Sequence, residues 1–388
     1  MTLLLVGGGH ASLPVLAQAR RLAEATGAEV VLVSDQPELW YSGMTPEWLG
    51  GVYTREDVTI PLAPICDHEG VRFVQGRAVT LDRDARVVRL DDGREERYDL
   101  VAIDIGAVNP GRESADGAIR AKPLWRIREL GLFLDATAAE HAERQLVIVG
   151  GGAAGVECAL NLTARPGLGR LAVTVVEPGE RLCPTLPHRL GQWAADALRQ
   201  RGVTLRFGER AESASPGEVR LRSGPSLRAD AVLWATGSVG PPLYREAGLA
   251  VTDRGLVQVN AGLQSVSDPR VFVAGDGAAV AGHESLARIG VHAVKQGPTL
   301  RTNLERTLKA LARGHDPAGA SLAPFRPYPV APLLLSTGER TAWWTAGDIA
   351  VHGRWVLRLK HAVDRRWIDR YRDGASYRGL WDAVSARG

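Results

Sequence analysis

Two copies of one local pattern constrain the fold of this 388-residue chain more than any other feature. Each copy is a strand, a glycine-rich turn, an amphipathic helix and a second strand. The first reads TLLLVGGGHASLPVLAQARRL and then AEVVLVSDQ, and the second reads QLVIVGGGAAGVECALNL and then LAVTVVEP. The turns begin 143 residues apart, at Gly7 and Gly150. This spacing indicates a repeated domain, because solenoid repeats are far shorter.

The second turn has the full spacing of a dinucleotide-binding loop, G-x-G-x-x-G between a strand and a helix. Glycines at these positions let the backbone approach a pyrophosphate, which the helix N-terminal amides then hold. Glu177 ends the next strand, 27 residues after Gly150, where an acid would bond the ribose hydroxyls. The alternative is a glycine turn without a ligand. The predicted nucleotide contacts are Gly150, Gly152, Ala153, Ala154, Gly155 and Glu177.

The first turn is less regular than the second. Gly7 and Gly9 are followed by Ser12 where the third glycine would stand. The same offset of 27 residues from Gly7 leads to Ser34, and an acid, Asp35, comes one residue later. Both stay candidates for the ribose contact, Ser34 by position and Asp35 by charge. A turn without a ligand is the alternative here as well.

Composition is that of an ordinary globular protein, with 45% hydrophobic and 23% charged residues. The excess of basic over acidic residues is only 47 − 44 = 3, so we expect no nucleic-acid partner. No charged and then apolar leader precedes the first strand, and the most apolar window, 146–162, is broken by glycines and an acid. We expect a cytoplasmic protein, with peripheral contact at the inner face of the membrane as an open alternative.

Alternating apolar and polar residues follow each glycine-turn unit, at 71–106 and at 203–237. This pattern predicts an antiparallel meander in each case. A further strand ends at Gly275-Asp276, a helix is predicted from about Ile289 to Leu311, and strands near Thr341 and Trp355 precede a last helix. The predicted fold class is α/β, with two Rossmann-like dinucleotide-binding domains (three-layer ββα), inserted antiparallel meanders and a small C-terminal α+β segment.

With Ala235-Thr236-Gly237 and Gly275-Asp276, the two units resemble the pyridine nucleotide-disulfide oxidoreductase superfamily over residues 1 to about 310. Further stretches are similar to its type II NADH dehydrogenase and sulfide:quinone reductase branch, and most similar to the flavoprotein domain fused ahead of selenide, water dikinase. They are GGGHAS, WYSGMTPEWLGGVY, HAVKQGPTLRTNL, LLLSTGER and LKHAVDRRWIDRYR. The chain departs from the family pattern at Tyr328-Pro329-Val330, where a glutamine would follow the proline.

The resemblance implies non-covalent FAD at the first turn and NADH at the second, with Asp276 bonding the ribityl chain. It divides the chain into an FAD-binding domain in two parts (1–115 and 254–325), an NAD(P)H-binding domain (116–253) and a C-terminal domain (326–388). Tyr41 and Met44 would line the flavin. The other implied cofactor contacts are Gly7, Gly9, His10, Ala11, Ser34, Asp35, Ser42, Gly43, Ala78, Gly106, Gly237, Gly275 and Asp276.

Three residues are candidates for a role in catalysis by the same resemblance. Glu157 matches a glutamate that borders the nicotinamide, although an acid at a helix N-terminus is also explained by the helix dipole. Lys295 and Gln296 would lie beside the isoalloxazine, where a cation stabilises negative charge on the flavin. The alternative for Lys295 is a solvated helix lysine.

The cysteines restrict the chemistry. Cys66, Cys158 and Cys183 lie far apart, form neither C-x-x-C nor C-x4-C, and make a structural metal site or a redox disulfide unexpected. The predicted reaction is direct electron transfer: NADH gives a hydride to FAD, and the reduced FAD passes electrons to a quinone or another small acceptor. Glu177 favours NADH over NADPH because it would repel a 2′-phosphate, although Arg181 nearby weakens this preference. Alternatives are a selenium- or sulfur-compound reductase and a slow FAD- and NADH-binding redox sensor.

The last predicted helix is basic on one side and apolar on the other. Its apolar stripe is Val356, Leu359, Val363, Trp367 and Tyr371, and its flanking cations are Arg358, Lys360, Arg365, Arg366, Arg370 and Arg372. A basic amphipathic helix can lie on an anionic membrane surface. The preferred alternative is a helix packed on the FAD-binding domain with a solvated basic face.

Overall fold

The computed structural model describes residues 1–110 and 117–372. Its strands are, in chain order, β1 (Thr2–Val6), β2 (Glu29–Ser34), β3 (Glu38–Trp40), β4 (Thr59–Pro61), β5 (Arg72–Gln75), β6 (Ala78–Asp82), β7 (Val87–Leu90), β8 (Glu95–Arg97), β9 (Leu100–Ile103), β10 (Ile119–Arg120), β11 (Arg144–Val149), β12 (Leu171–Glu177), β13 (Thr204–Phe207), β14 (Ala211–Ser215), β15 (Gly217–Leu221), β16 (Ser226–Ala229), β17 (Ala231–Trp234), β18 (Val257–Val259), β19 (Val271–Val273), β20 (Ala278–Val280), β21 (Leu333–Ser336), β22 (Ala342–Ala346) and β23 (Ile349–Gly353).

The α-helices of the described residues are α1 (Leu13–Leu16), α2 (Ala19–Thr26), α3 (Thr45–Leu49), α4 (Arg55–Val58), α5 (Leu62–Glu69), α6 (Ile127–Glu140), α7 (Ala153–Thr163), α8 (His188–Gln200), α9 (Pro242–Glu246), α10 (Gly290–Ala312) and α11 (Arg354–Arg372). The predicted helix from Ile289 to Leu311 is therefore confirmed as α10, shifted by one residue at each end.

The first glycine-turn unit forms a five-stranded parallel sheet in the order β19-β9-β1-β2-β5. The inner strands are almost continuously apolar and buried, as expected of a parallel sheet covered on both faces. The edge strand β19 comes from beyond the second unit in sequence. The first sheet is thus completed by a distant part of the chain.

The second unit forms a sheet of the same kind, in the order β10-β17-β11-β12-β13. An antiparallel three-stranded sheet accompanies each unit, β6-β7-β8 in the first and β14-β15-β16 in the second. The predicted α/β class, with two Rossmann-like sheets and antiparallel meanders, is confirmed.

The C-terminal segment is the antiparallel sheet β21-β22-β23 followed by α11, which packs against β21, β22 and β4. The strands expected near Thr341 and Trp355 are β22 and β23, and the expected last helix is confirmed as α11, which begins at Arg354. One prediction for this segment was wrong. Leu359 and Val363 are not buried with the rest of the predicted stripe but are 41% and 47% exposed. Lys360 and Asp364 are buried in their place, because they form a paired ionic cluster.

Parts of the sequence-based predictions lie outside the described residues. These are the proposed boundary between residues 115 and 116 and the segment 373–388 of the last domain, with Asp373 of the predicted helix. Within residues 1–110 and 117–372, no helix combines the length and apolarity needed to cross a membrane.

Candidate functional site

The second glycine turn brings a helix N-terminus tightly against the ends of two strands. Gly150 has a φ of +114°, and a side chain there would come 2.6 Å from the carbonyl oxygen of Ala235. A side chain at Gly155 would collide with the carbonyl of Gly150. The first residue before α7 is Gly152, and no side chain of the described residues caps this helix. The turn therefore presents uncapped helix amides at the sheet edge, as an anion site requires.

The Glu177 carboxylate lies across this turn. The Gly151 amide donates to its Oε2 at 2.8 Å, and the Gly179 amide donates to its Oε1 at 2.9 Å. Glu177 is only 7% exposed. Each oxygen is thereby fixed by one backbone donor and keeps acceptor capacity for a ribose hydroxyl.

Arg181 is engaged with backbone carbonyls close to Glu177. Its guanidinium donates to the carbonyls of Cys183 at 3.2 Å, Pro184 at 2.6 Å and Leu186 at 3.1 Å. These bonds hold the cation on its own loop.

The first glycine turn has the same backbone plan. Gly7 has a φ of +96°, and its amide donates to the carbonyl of Val33 at 2.8 Å, as the Gly150 amide does to Val176 at 2.9 Å. Strand pairing places Ser34 beside Gly7 as it places Glu177 beside Gly150, since Val6 pairs with Val33 and Val149 with Val176. Ser34 thus occupies the position of the acid.

The other candidates around this strand end differ in burial. Ser34 is buried, whereas Asp35 is exposed. Ala78 begins β6 and is half-buried. The structure therefore keeps Ser34 as the positional match and leaves Asp35 at the surface with its charge.

Sequence reasoning missed the carboxylate that lies under the first turn, that of Asp104. The amides of Ala11 and Ser12 donate to its Oδ2 at 2.8 and 2.9 Å. Burial raises the pKa of Asp104 to about 7. Pairing places Asp104 after β9 where Ala235 follows β17. A comparison of the two strand ends, Asp104-Ile105-Gly106 and Ala235-Thr236-Gly237, would have revealed it.

Asp276 is held by Lys122, which sequence reasoning also missed. Lys122 donates from Nζ to Asp276 Oδ2 at 2.6 Å, to Ser238 Oγ at 2.8 Å and to the carbonyl of Arg288 at 3.2 Å. Gly275, beside Asp276, has a φ of +70°. The Gly275-Asp276 turn thus joins residues from both glycine-turn units.

The candidates Lys295 and Gln296 have different surroundings. Gln296 is buried at the Gly275-Asp276 turn, where its Oε1 accepts from the Gly275 amide at 2.7 Å. Lys295 directs its ammonium onto Tyr328, 3.6 Å from the ring centroid. The structure brings Gln296 to the candidate flavin turn and places Lys295 on the segment that departs from the family pattern.

Aromatic rings stack beside the first turn. Tyr41 and Trp367 have ring centroids 4.3 Å apart, and His10 stacks on Trp367 at 5.3 Å. The Tyr41 hydroxyl donates to Asp364 Oδ1 at 2.9 Å. Burial lowers the pKa of His10 to about 4, so its ring is neutral at pH 7. Helix α11 thereby closes one side of the candidate flavin site.

A buried ionic cluster links α11 to the turn that carries Tyr41. The side chain of Lys360 is 2% exposed and donates to Glu47 at 2.7 Å, to Asp364 at 2.8 Å and to the Gly43 carbonyl at 2.5 Å. Burial alone would lower the pKa of Lys360, but the surrounding carboxylates raise it strongly. The third catalytic candidate, Glu157, belongs to this cluster and not to the Gln296 turn. Burial raises its pKa to about 8, and its Oε1 accepts from the Ser336 amide at 2.8 Å.

Unsatisfied polar atoms test whether these surroundings fit a flavin. Among the residues that the structure describes, four such buried atoms belong to the first turn and to the helices that pack on it, and none has a hydrogen-bond partner. They are His10 Nε2, Ser12 Oγ, His292 Nδ1 and Trp367 Nε1. Buried polar groups are seldom left unpaired in a folded protein. These residues fit a large polar and aromatic ligand such as FAD.

The three cysteines are free and lie in different elements of the structure. Cys66 is in α5, Cys158 in α7 and Cys183 in the loop before α8, and all three are buried. Burial raises the pKa of each thiol to about 12, which disfavours the reactive thiolate. In the described part of the chain, no group of three His, Cys, Asp or Glu side chains is arranged to hold a metal ion.

Comparison with known proteins gives independent evidence on the family of this chain. A family model described as pyridine nucleotide-disulphide oxidoreductase matches residues 1–303. The type II NADH:quinone oxidoreductase of Staphylococcus aureus (strain MSSA476) is 26% identical over 391 aligned residues, which cover 94% of each chain. The counterpart from strain NCTC 8325 / PS 47 is 26% identical over 331 residues, covering 79% of this chain and 82% of the relative.

Solved structures are similar in fold. The sulfide:quinone oxidoreductase from the hyperthermophilic bacterium Aquifex aeolicus superposes with a TM-score of 0.73 at 18% identity, covering 99% of this chain and 94% of the other. An NAD-dependent persulfide reductase from A. fulgidus gives a TM-score of 0.69 at 21% identity, covering 93% of this chain and 66% of that protein. At these identities the likeness concerns the fold alone.

Proposed function

The chain belongs to the pyridine nucleotide-disulphide oxidoreductase family, whose model matches 303 of its 388 residues, and we propose that it is an NADH:quinone oxidoreductase with non-covalent FAD. It is a flavin oxidoreductase that uses a pyridine nucleotide. The observation that carries the finer proposal is the Glu177 carboxylate, locked by two backbone amides across a complete and uncapped glycine turn. The curated NADH:quinone relatives support the same donor and acceptor.

FAD would bind the first unit and NADH the second. We assign residues 1–115 and 254–325 to the FAD-binding domain, 116–253 to the NADH-binding domain and 326–388 to the C-terminal domain. Gly7, Gly9 and Ala11 would meet the FAD diphosphate, and Asp276 the ribityl chain. When bound, the flavin would take a hydride from NADH and pass two electrons to the acceptor.

The protein's own groups would orient the two cofactors and handle one proton. The balanced reaction is NADH + H⁺ + quinone → NAD⁺ + quinol. Glu157 holds a proton on its carboxyl at neutral pH, because its pKa is about 8. Gln296 fixes the Gly275 amide, and α11 shields the aromatic side of the site through Trp367. Exclusion of water strengthens such polar contacts.

Contact with a membrane surface is the peripheral part of the proposal. Trp355, Leu359 and Val363 lie four residues apart along α11 and are 57%, 41% and 47% exposed. They form one side of the helix, flanked by exposed arginines such as Arg358 and Arg366. Sedimentation with anionic and neutral vesicles tests the contact: the triple alanine variant should lose binding to anionic vesicles, and absence of binding by the native protein would end the hypothesis.

Anaerobic stopped-flow spectroscopy tests the main proposal. NADH should bleach the bound flavin faster than NADPH, and a quinone should restore its colour within catalytic turnover times. Faster reoxidation by polyselenide would instead identify a selenium- or sulfur-compound reductase. Rapid reduction followed by negligible turnover with every acceptor would identify a redox sensor. If neither nucleotide reduces the flavin, the proposal fails.

A further inference from the structure

Lys122 is the place where the two glycine-turn units and the Gly275-Asp276 turn meet. We infer that Lys122 is a positioning residue for FAD, acting through Asp276 and not by touching the cofactor. The inference rests on the proposed function, because it takes the ribityl chain as the ligand of Asp276.

The backbone of Lys122 is anchored first. Its amide donates to Asn109 Oδ1 at 2.7 Å. The side-chain amide of Asn109 in turn donates to the carbonyls of Thr236 at 2.7 Å and Gly237 at 3.2 Å. Asn109 therefore ties the segment after β9 to the end of β17, and Lys122 is presented from that junction.

The ammonium of Lys122 then uses all of its donors within the protein. An ammonium has three N–H donors, and Lys122 has three acceptors, Asp276 Oδ2, Ser238 Oγ and the Arg288 carbonyl. No N–H is left to bond a cofactor directly. Lys122 can therefore affect the binding of a ligand only indirectly, by fixing one of these three acceptors.

Asp276 is the acceptor with a further oxygen to offer. Lys122 takes Oδ2 at 2.6 Å, which leaves Oδ1 to accept from a ribityl hydroxyl. The pair is partly sheltered, with side chains 26% and 21% exposed, so solvent screens it incompletely. A carboxylate oriented before the ligand arrives binds more tightly than one that must be ordered on binding.

The same turn is held from its other side by Gln296, which fixes the backbone of Gly275. Lys122 also binds the Arg288 carbonyl, two residues before α10, the helix that carries Gln296. The backbone and the side chain of the turn are therefore fixed by two different residues. Gln296 fixes the backbone of Gly275, and Lys122 fixes the side chain of Asp276.

The experiment measures FAD binding to apoprotein by fluorescence for the native chain, Lys122→Met, Asp276→Asn and the double variant. We expect Lys122→Met to weaken FAD binding about ten-fold, as loss of a hydrogen bond to a charged group does. In the Asp276→Asn background the same change should cost less than about two-fold, because the partner is already lost. The dissociation constant of ADP, which lacks the ribityl chain, should be the same for native protein and Lys122→Met.

Three outcomes would overturn the inference. They are native FAD affinity in Lys122→Met, an undiminished loss in the Asp276→Asn background, and a parallel loss of affinity for ADP, which would mark a general structural role. The ADP comparison remains decisive if Asp276→Asn does not fold. Failure of the proposed function looks different: native protein would then bind no FAD, or its bound flavin would not be reduced by NADH.

Discussion

The two glycine turns share a backbone and differ in where their carboxylate stands. In the second turn the acid is Glu177, which ends the neighbouring strand β12 and lies across the loop. In the first turn that position is Ser34, and the acid is Asp104, which follows the strand on the other side of β1. Asp104 accepts from the helix-start amides of Ala11 and Ser12.

The two turns therefore differ in which backbone amides are free to bind an anion. In the second turn only the Gly151 amide is bonded to a carboxylate, that of Glu177, and no side chain of the described residues caps α7, so the helix-start amides are open to a diphosphate. In the first turn two amides are already bonded to an internal carboxylate, and a diphosphate must share or replace that bond. The two copies of the unit thus have different electrostatic arrangements. Four variants test this difference.

The largest effect is expected from Gly155→Ser, which gives the second turn the residue that the first has at Ser12. A side chain at position 155 would meet the Gly150 carbonyl and push the helix off the strand. We expect kcat/KM for NADH to fall at least roughly 100-fold, with FAD content unchanged. Ser12→Gly is the matched control and should retain activity. A loss below ten-fold would show that the third glycine is dispensable in both turns.

Asp104→Asn should change the pH dependence of stability. The pKa of Asp104 is about 7, above its ordinary 3.8, so between these values the folded apoprotein binds a proton that the unfolded chain releases. The free energy of unfolding therefore falls as pH rises from about 4 to 7, by roughly 2 kcal/mol after allowance for relaxation. Urea unfolding should show Asp104→Asn more stable than native apoprotein at pH 7.5 and similar at pH 4. The exposed Asp84→Asn is the control, and equal slopes for all three proteins would contradict the prediction.

Glu177→Gln should weaken discrimination between the nucleotides. The amide would hold the ribose hydroxyls less strongly than the carboxylate, so KM for NADH is expected to rise about ten-fold. The change also removes the charge that repels a 2′-phosphate, so NADPH should improve relative to NADH. Steady-state kinetics with both nucleotides measure this. Ser34→Ala, the same position in the first unit, should leave the ratio unchanged. An unaltered NADH preference in Glu177→Gln would move specificity to another residue.

The smallest effect is expected at the cysteine next to the second turn. The amide of Cys183 donates to the Gly151 carbonyl at 2.7 Å, while its buried thiol has a pKa of about 12. Cys183→Ser keeps the backbone bond and should change turnover less than two-fold. Cys158→Ser serves as its counterpart inside α7. A loss of more than ten-fold in either variant would bring a thiol into the reaction.

Local spacing was enough to predict the parts of the fold that are local. The strands around each turn, the meanders and helix α10 follow from periodicity and glycine spacing within a few tens of residues. Glu177 was found for the same reason, since its distance from Gly150 is set by one helix and one strand. The register of β11 and β12 agrees with that spacing.

Residues whose partners are distant in sequence escaped prediction. Asp104 bonds amides 93 and 92 residues away, and Lys122 bonds Asp276 across 154 residues. The apolar stripe of α11 was misassigned because Lys360 finds Glu47 at a separation of 313 residues and becomes a buried group. Hydrophobic periodicity assumes that charges face solvent, and this fails where another element supplies the counter-charge.

The position of β19 sets an order for assembly during synthesis. All strands of the second sheet come from residues 119–234, a continuous stretch, whereas the first sheet waits for residues 271–273 to fill its edge beside β9. On a ribosome, the unit that begins second can therefore finish first, and the N-terminal unit keeps an open strand edge until most of the chain has emerged.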